Sequence, residues 1–232
     1  MSWRFVTSAL NDRVEAIADF TFHSLDASRA LPIAPFSRRL TSDEQFYFDS
    51  AVYAMWSMKA ISTLSITWCR ALKSGDILSC AVISRTVLET FGALEFLRSR
   101  CFDVFQRDTE SSAAVARLNK LQWGSKSPVP LPWGGVSHEN AVHVMDMVRA
   151  TGLMSDYDWL CEAAHPSFVA RLYWLMMGKS ADNWTNKKFA EFGNEQMEKL
   201  VGLMESLLGK SDETASQIII RTTELFASRP KT

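Results

Sequence analysis

Residues 75–100 read GDILSCAVISRTVLETFGALEFLRSR, and their apolar side chains keep to no single face. At about 100° per residue, Ile77, Ala81, Leu88 and Phe91 share one side of a helix. Ile83, Ala93 and Leu97 share a second side, and Leu78, Val82 and Phe96 a third. A helix that is apolar all round belongs in the middle of a protein, so residues 76–100 are expected to form a buried central helix. On the third side, between Val82 and Phe96, stand Arg85 and Glu89, four residues apart and so neighbours on the helix surface. Ions buried unpaired cost several kcal/mol each, so these two are expected to meet each other or partners from elsewhere in the fold.

The flanking sequence builds a hairpin on this helix. Thr41-Ser-Asp-Glu44 has capping-box spacing: the Thr41 hydroxyl can accept from the Glu44 N–H while the Glu44 carboxylate reaches back. A helix from there to Lys73, roughly 45–50 Å long, should stop at Ser74-Gly75. Gly75-Asp76 then opens the central helix antiparallel to it. Upstream, residues 8–24 place Leu10, Val14, Ile17 and Phe20 at helical spacing, and residues 25–40, with Pro32 and Pro35, read as a connector.

Downstream, helices are predicted over 109–122, over 138–151 up to Gly152, and from the box-like Ser155-Asp-Tyr-Asp158 to Pro166. Others should follow Pro166 as far as Gly178, span 185–208 up to Gly209, and run over 212–228 from Ser211. Residues 123–138, WGSKSPVPLPWGGVSH, hold three prolines and three glycines, which favour extended backbone. Such a Pro/Gly/Trp loop reads either as a structural connector or as a lid. The expectation is all-α: one helical domain spanning 1–232, an antiparallel bundle around the central helix.

Composition narrows the function classes. A net charge of −1 argues against bulk electrostatic nucleic-acid binding, which needs a visibly basic surface. The four cysteines, Cys69, Cys80, Cys101 and Cys161, are scattered, with neither a zinc framework nor a disulfide scaffold in their spacing. The N-terminal MSWRFVTSALNDRVEA lacks an apolar signal core, so a cytoplasmic location is expected. The most membrane-like window is 51–72, but Lys59, Arg70 and its hydroxyl residues read as a soluble core helix and no membrane association is expected. The eight Trp and ten Met suit a thick core and a homodimer seam.

Two constellations could carry chemistry. Arg85 and Glu89 are either an internal salt bridge that fixes the register of the central helix or the floor of a polar cleft. In the cleft, Arg85 would hold an anionic or nucleotide-like group in its planar fork, and Glu89 would orient it or act as base. Glu162-Ala-Ala-His165 places two polar side chains on one helix face, which is half of a di-metal carboxylate signature. The other half is missing, so no metal is expected and a di-metal oxidase is the lowest of the alternatives. His165, immediately before Pro166, sits where a helix break frees backbone carbonyls, with Tyr157, Cys161 and His165 on one stripe. His165, and less strongly Glu162, is expected to converge on Arg85 and Glu89. No Gly-rich phosphate loop, Rossmann fingerprint or Gly-x-Ser-x-Gly occurs, so no cofactor is expected.

Arg85-Thr-Val-Leu-Glu89 and Tyr157-Asp-Trp-Leu-Cys-Glu-Ala-Ala-His165-Pro-Ser resemble segments of a loose group of bacterial all-helical proteins. These carry an Arg-x-x-x-Glu helix and a later Tyr…His-Pro helix, and are distantly similar to the HEPN-like bundles. The resemblance implies a helical bundle with a defence-associated role, in which Arg85, Glu89 and His165 converge. HEPN ribonucleases have an Arg followed four to six residues later by His, a spacing that no Arg here shows. Ribonuclease activity is therefore not implied. The rival function class is a non-catalytic interaction or scaffold protein that docks through residues 123–138. Whether the chain is an enzyme is left open by these residues.

Overall fold

The computed structural model describes residues 8–29, 40–107, 112–125, 127–130, 134–137, 140–164 and 186–228. The protein is an all-α helical bundle. The expected helix after Pro166, the connector's Pro32 and Pro35, and His138, Glu139 and His165 lie outside the described residues.

The hairpin forms from the local signals that announce it. Helix α1 is Ser8–Arg29, longer than its periodic stretch, and helix α2 is Ser42–Lys73. The Thr41 N–H donates to Glu44 Oε2 at 2.8 Å, and the Glu44 N–H donates back to the Thr41 hydroxyl at 3.4 Å, closing the capping box. At the far end Gly75, with φ 75°, is in the left-handed region that glycine adopts at no steric cost. Its N–H donates to Leu72 O and that of Asp76 to Ala71 O, each at 2.9 Å, a Schellman closure. Asp76 is at the same time the N-cap of α3, Ile77–Phe96, accepting from the Ser79 N–H at 3.0 Å. One residue thus ends one helix and begins the next, which leaves α3 no route but back along α2.

Helix α3 does not stop at Phe96. It passes into a π-helical turn, Leu97–Phe102, and then into α4, Asp103–Arg107. The chain continues through α5, Ser112–Trp123, and a minimal antiparallel ladder of β1, Val129–Pro130, with β2, Val136–Ser137. Pro130 is tolerated there because a two-stranded ladder is all edge. Helices α6, Val144–Thr151, α7, Met154–Ala164, and α8, Asn186–Ala227, complete the described chain.

Three expectations about boundaries need correction. Helix α6 begins at Val144 rather than near 138, because His143 caps it: Nδ1 accepts from the Met145 N–H at 3.2 Å. Helix α7 starts two residues early, with Leu153 O accepting from the Tyr157 N–H at 3.0 Å, so Ser155 lies inside the first turn and is not a cap. The two expected C-terminal helices are one, α8 running through Gly209 and Ser211 without a break. A helix-interior glycine costs about 1 kcal/mol, a penalty that burial of Leu207, Leu208, Ala215 and Ile218 on either side offsets.

The chain divides into two compact units, and each has its own core. The first holds α1, residues 59–73 of α2, 77–88 of α3, α7 and α8 up to Gly209. Its centre is Trp68, Leu72, Cys80, Leu88, Leu160, Leu200 and Met204, with Leu10, Val14 and Ile17 of α1 buried as their spacing predicts. Arg13 fastens α1 to α8 through Glu205 and Glu198 at 2.6 Å each, holding the Glu205 carboxyl below its usual range. The second unit holds residues 42–58 of α2, 89–107, α5, the ladder, α6 and α8 from Lys210. Its core is aromatic: Phe46 stacks on Phe105 at 3.9 Å between centroids, and Tyr47 meets Phe102 edge-on at 5.4 Å.

The central helix is less enclosed than its composition suggests. Its first two sides are largely buried, but on the third Val82 is 43% exposed and Arg85 and Glu89 are half-buried. Among the described residues, Ile77–Arg107 is the one helix long and apolar enough to cross a membrane, and 56% of that apolar window is buried inside the fold. The stretch 51–72, expected to be the most membrane-like, falls short because of its hydroxyl residues, Lys59 and Arg70.

Candidate functional site

Arg85 is carried by a part of α3 that is regular α-helix, so the residue lies where its spacing places it. Within the first unit its guanidinium lies over the ring of Tyr157, 5.4 Å from Cζ to the ring centroid, and Nη2 donates to the Tyr157 hydroxyl at 3.3 Å. Tyr157 is itself buried in the first turns of α7, at 4% exposure, so the ring is a fixed platform for the guanidinium. Arginine's flat, delocalised cation suits both contacts, ring stacking and a donated hydrogen bond, in a way that a lysine would not. A second cation–π contact holds α7 in the same unit, with Lys199 Nζ 3.9 Å from the Trp159 ring centroid.

Of the residues predicted to converge, Arg85 does meet the Tyr157–Cys161 stripe, at Tyr157. Glu162 lies on the exposed side of α7, and Glu89 is half-buried on α3. His165 lies outside the described residues. Tyr157 entered the sequence reading only as a member of a stripe; the signal that could have singled it out is a phenol on the apolar face of an amphipathic helix, where its hydroxyl needs a partner.

The second unit contains a polar cluster that sequence reasoning missed. Arg98, in the π turn, grips Glu95 with two guanidinium nitrogens and donates through Nη1 to Asp103 Oδ2 at 2.9 Å. Thr214 of α8 donates its hydroxyl to Glu95 Oε2 at 3.3 Å. Arg221 of α8 reaches Asp103 at 3.5 Å and donates to Gln106 at 2.7 Å. The Glu95 side chain is only 12% exposed, and its hydrogen bonds raise the Arg98 guanidinium above its ordinary range against the effect of burial. Opposite charges here are matched within the cluster, which makes it a brace rather than a receptor.

Nucleophilic chemistry finds little support in the buried thiols. Burial pushes Cys69 up to about 11 and Cys101 up to about 12, and raises Cys80 as well, so all three are held as inert thiols at neutral pH. Among the described residues no group of three or more His, Cys, Asp or Glu side chains could hold a metal ion. No family model, curated protein or solved structure matches this chain.

Proposed function

We propose that the chain is a cytoplasmic helical-bundle protein that binds a small anionic or nucleotide-like group at the Arg85–Tyr157 face. The defence-associated role implied by its HEPN-like resemblance belongs to the same reading. The observation that carries it is the half-buried guanidinium of Arg85, over a buried tyrosine ring and hydrogen-bonded to its hydroxyl. A guanidinium already held by a ring and its hydroxyl loses little freedom when it closes on a phosphate or carboxylate, and the Tyr157 hydroxyl beside it can donate to the same anion. Glu162, and His165 by its spacing in the sequence, are assigned to orient the bound group, and no reaction is assigned. A thermal-shift screen of nucleotides and phosphorylated metabolites tests this. The expected result is a ligand that raises Tm in the native chain, not in Arg85→Met, and less in Tyr157→Phe. A shift unchanged by Arg85→Met, or none with any compound, overturns it.

One observation favours the interaction reading. At the β1–β2 ladder Val136 is 48% exposed, and Gly134 and Gly135, at φ 94° and 86°, have no described residue within 4 Å of where a side chain would begin. An exposed valine beside open glycines suits a docking segment, including one for a second copy of the chain. Light scattering of the native chain beside Val136→Asp separates the two: loss of an oligomer in the variant favours docking, and an unchanged monomer removes it.

A further inference from the structure

The π turn and the ion pair beside it join the same two residues. In an α-helix, residues five apart are separated by about 140° around the axis, so Arg98 and Asp103 would point to different sides. In a π turn the backbone bond spans five residues, so such residues stack one above the other. Here the Asp103 N–H donates to Arg98 O, and the Asp103 carboxylate accepts from Arg98 Nη1 at 2.9 Å. The backbone and side-chain bonds therefore join the same two residues, one turn apart. Glu95 holds Arg98 from the N-terminal side, while Arg221 of α8, which also donates to Gln106 of α4, holds Asp103 at the C-terminal side.

We propose that Asp103, gripped by Arg98 and Arg221, is a charge latch that holds this helix in its π register, and that releasing it lets residues 97–102 close into ordinary α-helix. The wide turn is otherwise the poorer conformation. It carries one residue more than an α-helix needs over the same rise, and such turns are rare except as isolated bulges, often at functional sites. Closing it without removing a residue turns everything C-terminal by about 100°. That rotation takes Phe102 off Tyr47 and Phe105 off Phe46, so the latch controls the aromatic core of the second unit. Cys101, fully buried in the turn, moves with them. The device is a two-register helix whose choice is set by one carboxylate.

The test is a crystal structure of Asp103→Ala, with Asp103→Asn as the closer isostere if the alanine variant does not fold. The latch requires the residue 103 amide to bond Ser99 O in place of Arg98 O, and Cys101 to react with a maleimide at least about tenfold faster in a Cys161→Ser background. Deletion of Arg100, an exposed residue in the turn, supplies the second variant. It removes the extra residue and leaves Arg98 and Asp103 four apart, neighbours in a plain α-helix. This variant should keep Cys101 protected even when Asp103→Ala is added. A π turn unchanged in Asp103→Ala and Asp103→Asn overturns the proposal. So does equal Cys101 labelling in Leu118→Ala, which weakens the same core without touching the latch.

Discussion

The Arg85–Glu89 turn and the Glu95–Asp103 turn lie in one run of helix and carry similar side chains, arginine within a turn or so of carboxylates. Their spacing means different things. Around Arg85 the helix keeps its α period, and the residue meets Tyr157 of α7, on the stripe that the sequence singles out. Around Arg98 the period changes, and a carboxylate five residues on becomes a direct neighbour. The first turn offers a guanidinium on an aromatic platform; the second closes its charges on one another. Spacing rules hold only where the helix holds its pitch, and the richer charge cluster is not automatically the better site.

The largest effect should come from Gly92, which lies between the two turns. A Cβ there would meet the backbone C and O of Met147 in α6 at 3.0 Å, so Gly92→Val forces α3 and α6 apart. We expect a loss of about 3 kcal/mol in urea unfolding. Amide exchange should quicken more for residues 89–107 than for 77–88; equal quickening would erase the distinction between the two regions.

Next is Arg98→Ala, which strands the mostly buried Glu95 carboxylate. The expected cost is about 2 kcal/mol, between the values for exposed and buried pairs. Arg85→Ala should cost less, about 1 kcal/mol, the size of a half-buried cation–π contact rather than of an arginine bonded twice to a mostly buried carboxylate. If the two arginines proved equal in stability measurements, the contrast between brace and platform would fail. The smallest effect belongs to Ser84, buried and without a hydrogen-bond partner for its hydroxyl among the described residues. Ser84→Ala should stay within about 0.5 kcal/mol of the parent or stabilise it, and a larger loss would reveal a polar contact near Arg85.

What was legible in the sequence was what is decided locally. Thr41 with Glu44, and Gly75 with Asp76, fix helix ends by bonds spanning a few residues, and both lie where their spacing puts them. Gly209 and Ser211 carry the same kind of signal, yet α8 continues through them because apolar residues on both sides are buried. His143 as a cap was obscured by a helix-compatible run ahead of it. The π turn and the cluster beside it were not legible, since the cluster draws on Arg221 and Thr214, more than a hundred residues away in sequence. The full burial assigned to Arg85 and Glu89 was an overreading of an apolar pattern, for Val82 on the same side is open to solvent. The several kcal/mol expected of burying those ions therefore falls to the smaller figure given above.

The central claim is that the Arg85 platform, not the Arg98 brace, receives an anion. Isothermal titration of ATP and of inorganic pyrophosphate into the native chain, Arg85→Met and Arg98→Met tests it most directly. Saturable binding of at least one probe to the native chain and to Arg98→Met is expected, with its loss in Arg85→Met. Binding that survives in Arg85→Met and disappears in Arg98→Met would contradict it.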